Sequence, residues 1–261
     1  MKLVGFQVKP KKKEKEKAVK QRGTSHHTAV HTTQRRRKKR KKRTVRPVAV
    51  LSLLLMAALV VIALLAQQLI AHNFVRRDDA HLTYVDDIPV HEDFLEEGAA
   101  GRPGEKRRIQ YVVIHETDNT KAGANAAAHD NFIHSNGQTE KLSWHYTVDD
   151  HEIWHHIPDD ETAYHAGDGM ENDGGNKNGI GVEMCVNSDG DYEKTLKNAQ
   201  KLAAHLLYEY GLDMDTLKKH QDFSGKNCPS RLLNDGRWEE FRQGVQEQLA
   251  RLTEKADSTA N

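Results

Sequence analysis

The chain has 261 residues, room for one or two domains, and its 39 Lys and Arg against 38 Asp and Glu give a formal net charge of +1. Residues 1–46 alone carry 19 Lys and Arg against 2 Glu, so the near-neutral sum joins a basic tail to an acidic body and excludes a chain of uniform composition. There is no internal repeat, which excludes a repeat array.

In chain order, residues 1–46 lack apolar periodicity and are rich in Lys, Arg, Thr, Gln and His. Such a segment cannot bury enough surface to offset its ordering entropy, so a disordered, basic cytoplasmic tail is expected. Residues 48–71 follow as a run of 24 without a charged side chain, interrupted only by Ser52, Gln67 and Gln68. A helix of that length crosses the ~30 Å hydrocarbon core, whereas a cleavable signal peptide has an apolar stretch of only about 7–15 residues. The reading is an uncleaved transmembrane signal anchor over residues 47–71. The basic cluster at residues 35–43 holds the N-terminus on the cytoplasmic side and places the C-terminal body outside the cell membrane, in a single-pass arrangement. The lipid bilayer is then a partner through residues 48–71. Attraction to anionic lipid accounts for the basic tail, and no specific nucleic-acid partner is expected. Residues 72–104 mix acidic residues with Gly98, Gly101, Pro103 and Gly104 and read as an extracellular stem, of which residues 88–95 are placed to pack on the next domain.

From residue 105 the pattern becomes globular. Residues 109–115 are a β-branched strand ending at a polar loop, and residues 122–134 are helical by their alanine content. Residues 143–148 and 152–157 flank Asp149, Asp150 and His151 as a hairpin. Residues 180–186 form another strand, with Ile180, Val182 and Met184 on one face and Glu183 and Cys185 on the other. Residues 193–210 have Leu196, Ala199, Ala203, Leu206 and Tyr210 at helical spacing and stop at Gly211; residues 237–255 repeat the pattern with Trp238, Phe241, Val245, Leu249 and Leu252. Strands separated by helices predict a single α/β domain over residues 105–255, with a central mixed sheet flanked by helices.

His115 sits where the first strand of this domain ends, and His220 and Cys228 share a loop rich in Gly, Asn and Pro. Imidazole and thiolate are the donors zinc prefers, and three protein ligands leave a fourth tetrahedral position open. Sixteen histidines offer many such triples, so the surrounding sequence has to discriminate.

It does so in five stretches: Tyr-Val-Val-Ile-His-Glu-Thr-Asp-Asn at 111–119, Ser-Trp-His-Tyr-Thr-Val-Asp-Asp at 143–150, Ala-Tyr-His-Ala-Gly-Asp-Gly at 163–169, Ile-Gly-Val-Glu-Met-Cys-Val-Asn at 180–187, and residues 220–229. Their order and wording resemble the type 2 N-acetylmuramoyl-L-alanine amidases, a superfamily that also holds phage lysozyme-like amidases and peptidoglycan-recognition proteins. The resemblance implies Zn2+ held by His115, His220 and Cys228, with Glu183 as the carboxylate that activates water and Lys226 as the cation that stabilises the oxyanion. It also implies that Trp144, His145 and His165 line the cleft against peptide or sugar. Glu116 follows a ligand directly and is the competing base, though its side chain should point away from that of His115. His151, His155 and His156 read as surface residues.

The implied function is zinc-dependent hydrolysis of the amide between N-acetylmuramic acid and L-alanine in peptidoglycan, for wall remodelling or turnover. The other reading is a membrane-tethered module that recognises peptidoglycan without cutting it; members of that kind typically lack a metal ligand, and all three ligands are present here. An exported chain with two cysteines invites a disulfide, but Cys185 lies in a strand as a small buried thiol, which leaves Cys228 as the metal-bound thiolate and predicts no disulfide.

Overall fold

A computed structural model of the chain describes residues 47–73 and 81–260. The basic tail expected over residues 1–46, and residues 74–80 of the expected stem, lie outside them. The chain divides into a unit ending at Met56 and a unit beginning at Ala57. The first is described only as the start of helix α1 (Pro47–Asn73), which covers the segment expected to be the anchor. The described side chains of α1 lie within residues 50–64, and Leu51, Leu54, Leu55 and Ile62 among them are exposed. Among the described residues no helix is long and apolar enough to cross a membrane.

The second unit is built on a seven-stranded mixed sheet. In chain order its further elements are β1 (Tyr84–Val85), β2 (Ile88–Glu92), β3 (Tyr111–Glu116), α2 (Ala126–Asn136), β4 (Tyr146–Val148), β5 (Ile153–His155), α3 (Gly175–Asn178), β6 (Gly179–Met184), α4 (Tyr192–Glu209), β7 (Leu217–Lys219), α5 (Gln221–Ser224), α6 (Ser230–Asn234) and α7 (Trp238–Ala260). The strands lie in the order β1-β2-β5-β4-β6-β3-β7. The β1–β2 and β4–β5 pairs are antiparallel and the remaining neighbours parallel.

The central strands have two unlike faces. Val112 and Ile114 of β3, Tyr146 and Val148 of β4, and Ile180, Val182 and Met184 of β6 are buried in one apolar cluster with Leu196, Leu202, Leu206 and Leu207 of α4 and Phe241 and Val245 of α7. Each fully buried leucine there contributes roughly 1.5–3 kcal/mol relative to exposure. Because side chains alternate along a strand, His115, Thr147, Gly181 and Glu183 emerge on the opposite face. The alternation expected for residues 180–184 is the one observed.

Caps set the helix ends. The side chain of Asp191 accepts from the Lys194 N–H to start α4, and Gly211, at φ +60°, follows its end in the left-handed conformation glycine tolerates. For α2 the expected start at residue 122 moves to Ala126: Gly123 has φ +78°, and the Asn125 side chain caps the helix by accepting from the Ala128 N–H.

Residues 88–95 of the expected stem pack on the domain as anticipated, and the integration extends beyond them. Residues 84–104 are part of the domain: β2 pairs in parallel with β5, and Leu95 is fully buried with Ile157 and Ala163. Arg102 donates to both carboxylate oxygens of Glu161 at 2.8 and 2.9 Å, and Ser143 Oγ donates to the Gly101 carbonyl at 2.6 Å. The acidic and glycine content suggested a spacer, whereas the alternation of buried Ile88 and Val90 with the less buried Pro89 and His91 is that of a strand with one buried face. The addition of β2 makes β5 an internal strand, which corrects the surface reading of two histidines. His155 stacks on Tyr146 at 4.1 Å and His156 is fully enclosed, while His151 at the hairpin turn is exposed as expected.

Candidate metal centre

The parallel register of β3 and β6 sets His115 opposite Glu183 at the C-terminal ends of both strands. The chain returns through β7, whose end delivers His220 beside β3 with its N–H on the Ile114 carbonyl at 3.3 Å. The segment expected to be a pure loop contains one helical turn, α5, closed by Gly225 at φ +77°. The Gln221 N–H donates to the Cys228 carbonyl at 3.1 Å, so this turn folds Cys228 back beside His220.

His115, His220 and Cys228 are all buried, with their donor atoms within 4.8 Å of one another. Nδ1 of His115 is 3.0 Å from Nδ1 of His220 and 3.9 Å from Sγ of Cys228. Both cysteines are free, as expected. Burial, reinforced by His165, His220 and Lys226, holds the His115 imidazole well below its ordinary pKa, and burial lowers that of His220 as well. Burial together with the charge of Glu183 pushes the Cys228 thiol up to about 12. Neutral imidazoles and a thiol converge here, and a cation among them would favour the thiolate.

One oxygen of Glu183 is 3.8 Å from Nδ1 of His115; the other is buried and has no hydrogen-bond partner. Burial raises this carboxyl to about 8, against the opposing pull of Lys226. Lys226 is half-exposed, 3.6 Å from Asp118, and its charge acts on His115, His220, Cys228 and Glu183. Glu116 is otherwise committed. It accepts from Tyr192 Oη and from the Arg231 and Leu232 N–H groups at 2.6 and 3.3 Å, which caps α6 and directs the carboxylate away from the cluster.

The three residues expected to line the cleft are placed differently. Trp144 is buried, donates from Nε1 to Thr147 at 2.7 Å and stacks on Phe132. His145 is fully enclosed: Nδ1 accepts from the Gly181 N–H at 3.0 Å, and Nε2 meets the Glu161 carbonyl and Arg107. His165 is buried beside His115, with Nε2 on the Gly179 carbonyl at 3.2 Å and Nδ1 on Nε2 of His115 at 3.0 Å. A motif position carries no information about which way a ring turns. Sequence reasoning missed Arg107, partly buried, and Asn176, buried, which sit beneath the site as hydrogen-bonding residues in otherwise featureless stretches. A second group of metal-type donors, Asp93, Asp130 and His134, is partly exposed and joins the loop after β2 to α2.

Residues 105–231 match a protein family described as N-acetylmuramoyl-L-alanine amidase. The chain is similar to the N-acetylmuramoyl-L-alanine amidase XlyA of Bacillus subtilis (strain 168), 41% identical over 158 residues that make up 60% of this chain and 51% of that protein. It is also similar to the N-acetylmuramoyl-L-alanine amidase CwlH of the same organism, 40% identical over 158 residues, 60% of this chain and 61% of that one. The chain thus spans between half and two thirds of the length of these curated relatives. The solved catalytic domain of XlyA matches with a TM-score of 0.57 at 41% identity, covering 60% of this chain and 99% of that one.

Proposed function

Because the chain belongs to the type 2 N-acetylmuramoyl-L-alanine amidase family, we propose that it hydrolyses the amide between the lactyl group of N-acetylmuramic acid and L-alanine in peptidoglycan, with Zn2+ held by His115, His220 and Cys228. The observation that carries this reading is a buried His–His–Cys cluster with an unpartnered carboxylate oxygen of Glu183 beside it. Two imidazoles and a thiol suit a borderline-soft divalent ion, and three protein donors leave room for a further ligand. When bound, zinc acts as a Lewis acid that acidifies water and polarises a carbonyl.

The chain's own residues supply the rest. Glu183, whose second carboxylate oxygen is buried without a partner beside the cluster, takes the proton of the attacking water and passes it to the leaving amine as the carbon–nitrogen bond breaks, giving a lactyl carboxylic acid and an N-terminal alanine. Lys226, with its charge facing the cluster, offsets the negative charge that develops on the carbonyl oxygen. The three donors already engaged by Glu116 support Glu183 rather than Glu116 as the base.

We further propose that residues 47–71 anchor this domain in the cell membrane with the N-terminus cytoplasmic and the catalytic domain outside. The support is the uncharged run at residues 48–71 and the basic cluster before it. The activity is tested by incubating purified sacculi with the full chain and measuring zinc content and newly released N-terminal alanine together. Zinc-loaded protein that binds sacculi and releases none would favour the recognition module.

A further inference from the structure

The hydrogen bonds around His115 fix where its proton resides. Nε2 of His165 is 3.2 Å from the Gly179 carbonyl oxygen, which can only accept, so in the neutral ring Nε2 carries the proton and Nδ1 is bare. That bare Nδ1 is 3.0 Å from Nε2 of His115. His115 therefore donates from Nε2, and its own Nδ1, the atom facing His220 and Cys228, is a lone pair.

The acceptor at the head of this chain is itself held. Arg107 Nη2 donates to the same Gly179 carbonyl at 3.1 Å. The Asn176 side-chain oxygen accepts from the backbone N–H groups of His165 and Ala166, both at 2.6 Å, which fixes the strand of chain that carries the ring. The ring lies flat against Gly181, where an added Cβ would come within 2.8 Å of its Cγ.

We infer that His165 is a positioning residue for the metal centre: it accepts the Nε2 proton of His115 and holds that ring in the one tautomer that turns the Nδ1 lone pair toward His220 and Cys228. This role replaces the substrate contact expected of His165. Histidine ligands commonly need such an outer partner, because a ring free to carry its proton on the inner nitrogen must lose it before a metal can bind. The inference rests on reading the cluster as a zinc site.

The test uses the full chain with Zn2+ as the probe, its affinity read by competition with a chromophoric chelator, and 15N NMR of the histidine rings in the zinc-free wild type. His165→Leu removes the acceptor and is expected to weaken zinc binding by 10- to 100-fold without changing stoichiometry. His165→Asn offers an amide oxygen in place of Nδ1 and is expected to stay within a few-fold of wild type. The NMR spectra are expected to show Nε2 protonated in both His115 and His165, and they decide the matter if the Leu variant does not fold. Affinity unchanged in both variants, an Asn variant as weak as the Leu variant, or an Nδ1-protonated His115 overturns the inference alone. Wild-type chain that takes up no zinc overturns the functional reading and this inference with it.

Discussion

Glu183 stands 3.8 Å from Nδ1 of His115 across one rung of the β3–β6 ladder, with its second oxygen buried and unpartnered. Glu116, adjacent to His115 in sequence, is turned away to cap α6. The two carboxylates therefore separate in mutagenesis. Glu183→Gln is expected to lower kcat by about 10²–10⁴-fold with zinc still bound. Glu116→Gln is expected to cost about 1–2 kcal/mol of stability through the lost cap while keeping most of the activity of folded protein. Parallel kcat and urea-melt measurements check this; the reverse pattern would assign the base to Glu116.

The segment before the expected domain boundary is structural. A fragment beginning at residue 81 keeps β2 on β5, the burial of Leu95 and the Arg102–Glu161 pair, whose side chains are both largely enclosed. A fragment beginning at residue 105 exposes the β5 edge and leaves Glu161 with only its Lys106 partner, and removal of one member of a buried ion pair costs about 3–5 kcal/mol. Cooperative urea unfolding is expected for the longer fragment and a loose or aggregated state for the shorter. Equal stability would contradict the integration of residues 84–104 into the fold.

Acid should destabilise the domain. Burial holds the imidazoles of His145 and His156 below the ordinary range, so both are neutral when folded, whereas in the unfolded chain they take up protons near pH 6.5. Below that pH the unfolded state binds more protons. The stabilisation is complete above about pH 6.5 and falls as pH drops toward the folded values, by up to about 1.4 kcal/mol per group per pH unit. Urea midpoints of zinc-free protein at pH 7.5, 6.5 and 5.5 are expected to be similar for the first two and lower at the third. A midpoint that does not move down to pH 5.5 would contradict the neutral assignment.

Gly181 has no room for a side chain, because an added Cβ would meet the His165 ring. Gly181→Ala is expected to displace that ring and weaken zinc binding by about tenfold, with the sheet intact by circular dichroism. Affinity equal to wild type would mean that the ring tolerates the shift and that its packing does not govern the ligand.

Much of this arrangement was legible in the sequence because its signals are local. The β-branched run ending in His115, the alternation that separates Glu183 from Val182 and Met184, and the apolar spacing of α4 each follow from a few neighbouring residues. The three metal-type ligands came from motif wording and are brought together as implied. What was not legible depends on distant partners. The pattern of residues 88–95 points to packing on the domain without identifying β5 and Ile157 as the partners that receive Val90 and Leu95. The burial of His155 follows from that same pairing, and the inward turn of Trp144, His145 and His165 depends on Thr147, Gly181 and Gly179, which no spacing rule connects to them.

The most direct test of the zinc amidase reading is mass spectrometry of purified peptidoglycan digested by the full chain as isolated, after chelation, and after zinc is restored. The reading predicts stem peptides with a free N-terminal L-alanine and intact glycan strands, lost on chelation, regained with zinc and absent with Glu183→Gln. Cleavage at any other bond, or release of these peptides undiminished by complete removal of zinc, would contradict it.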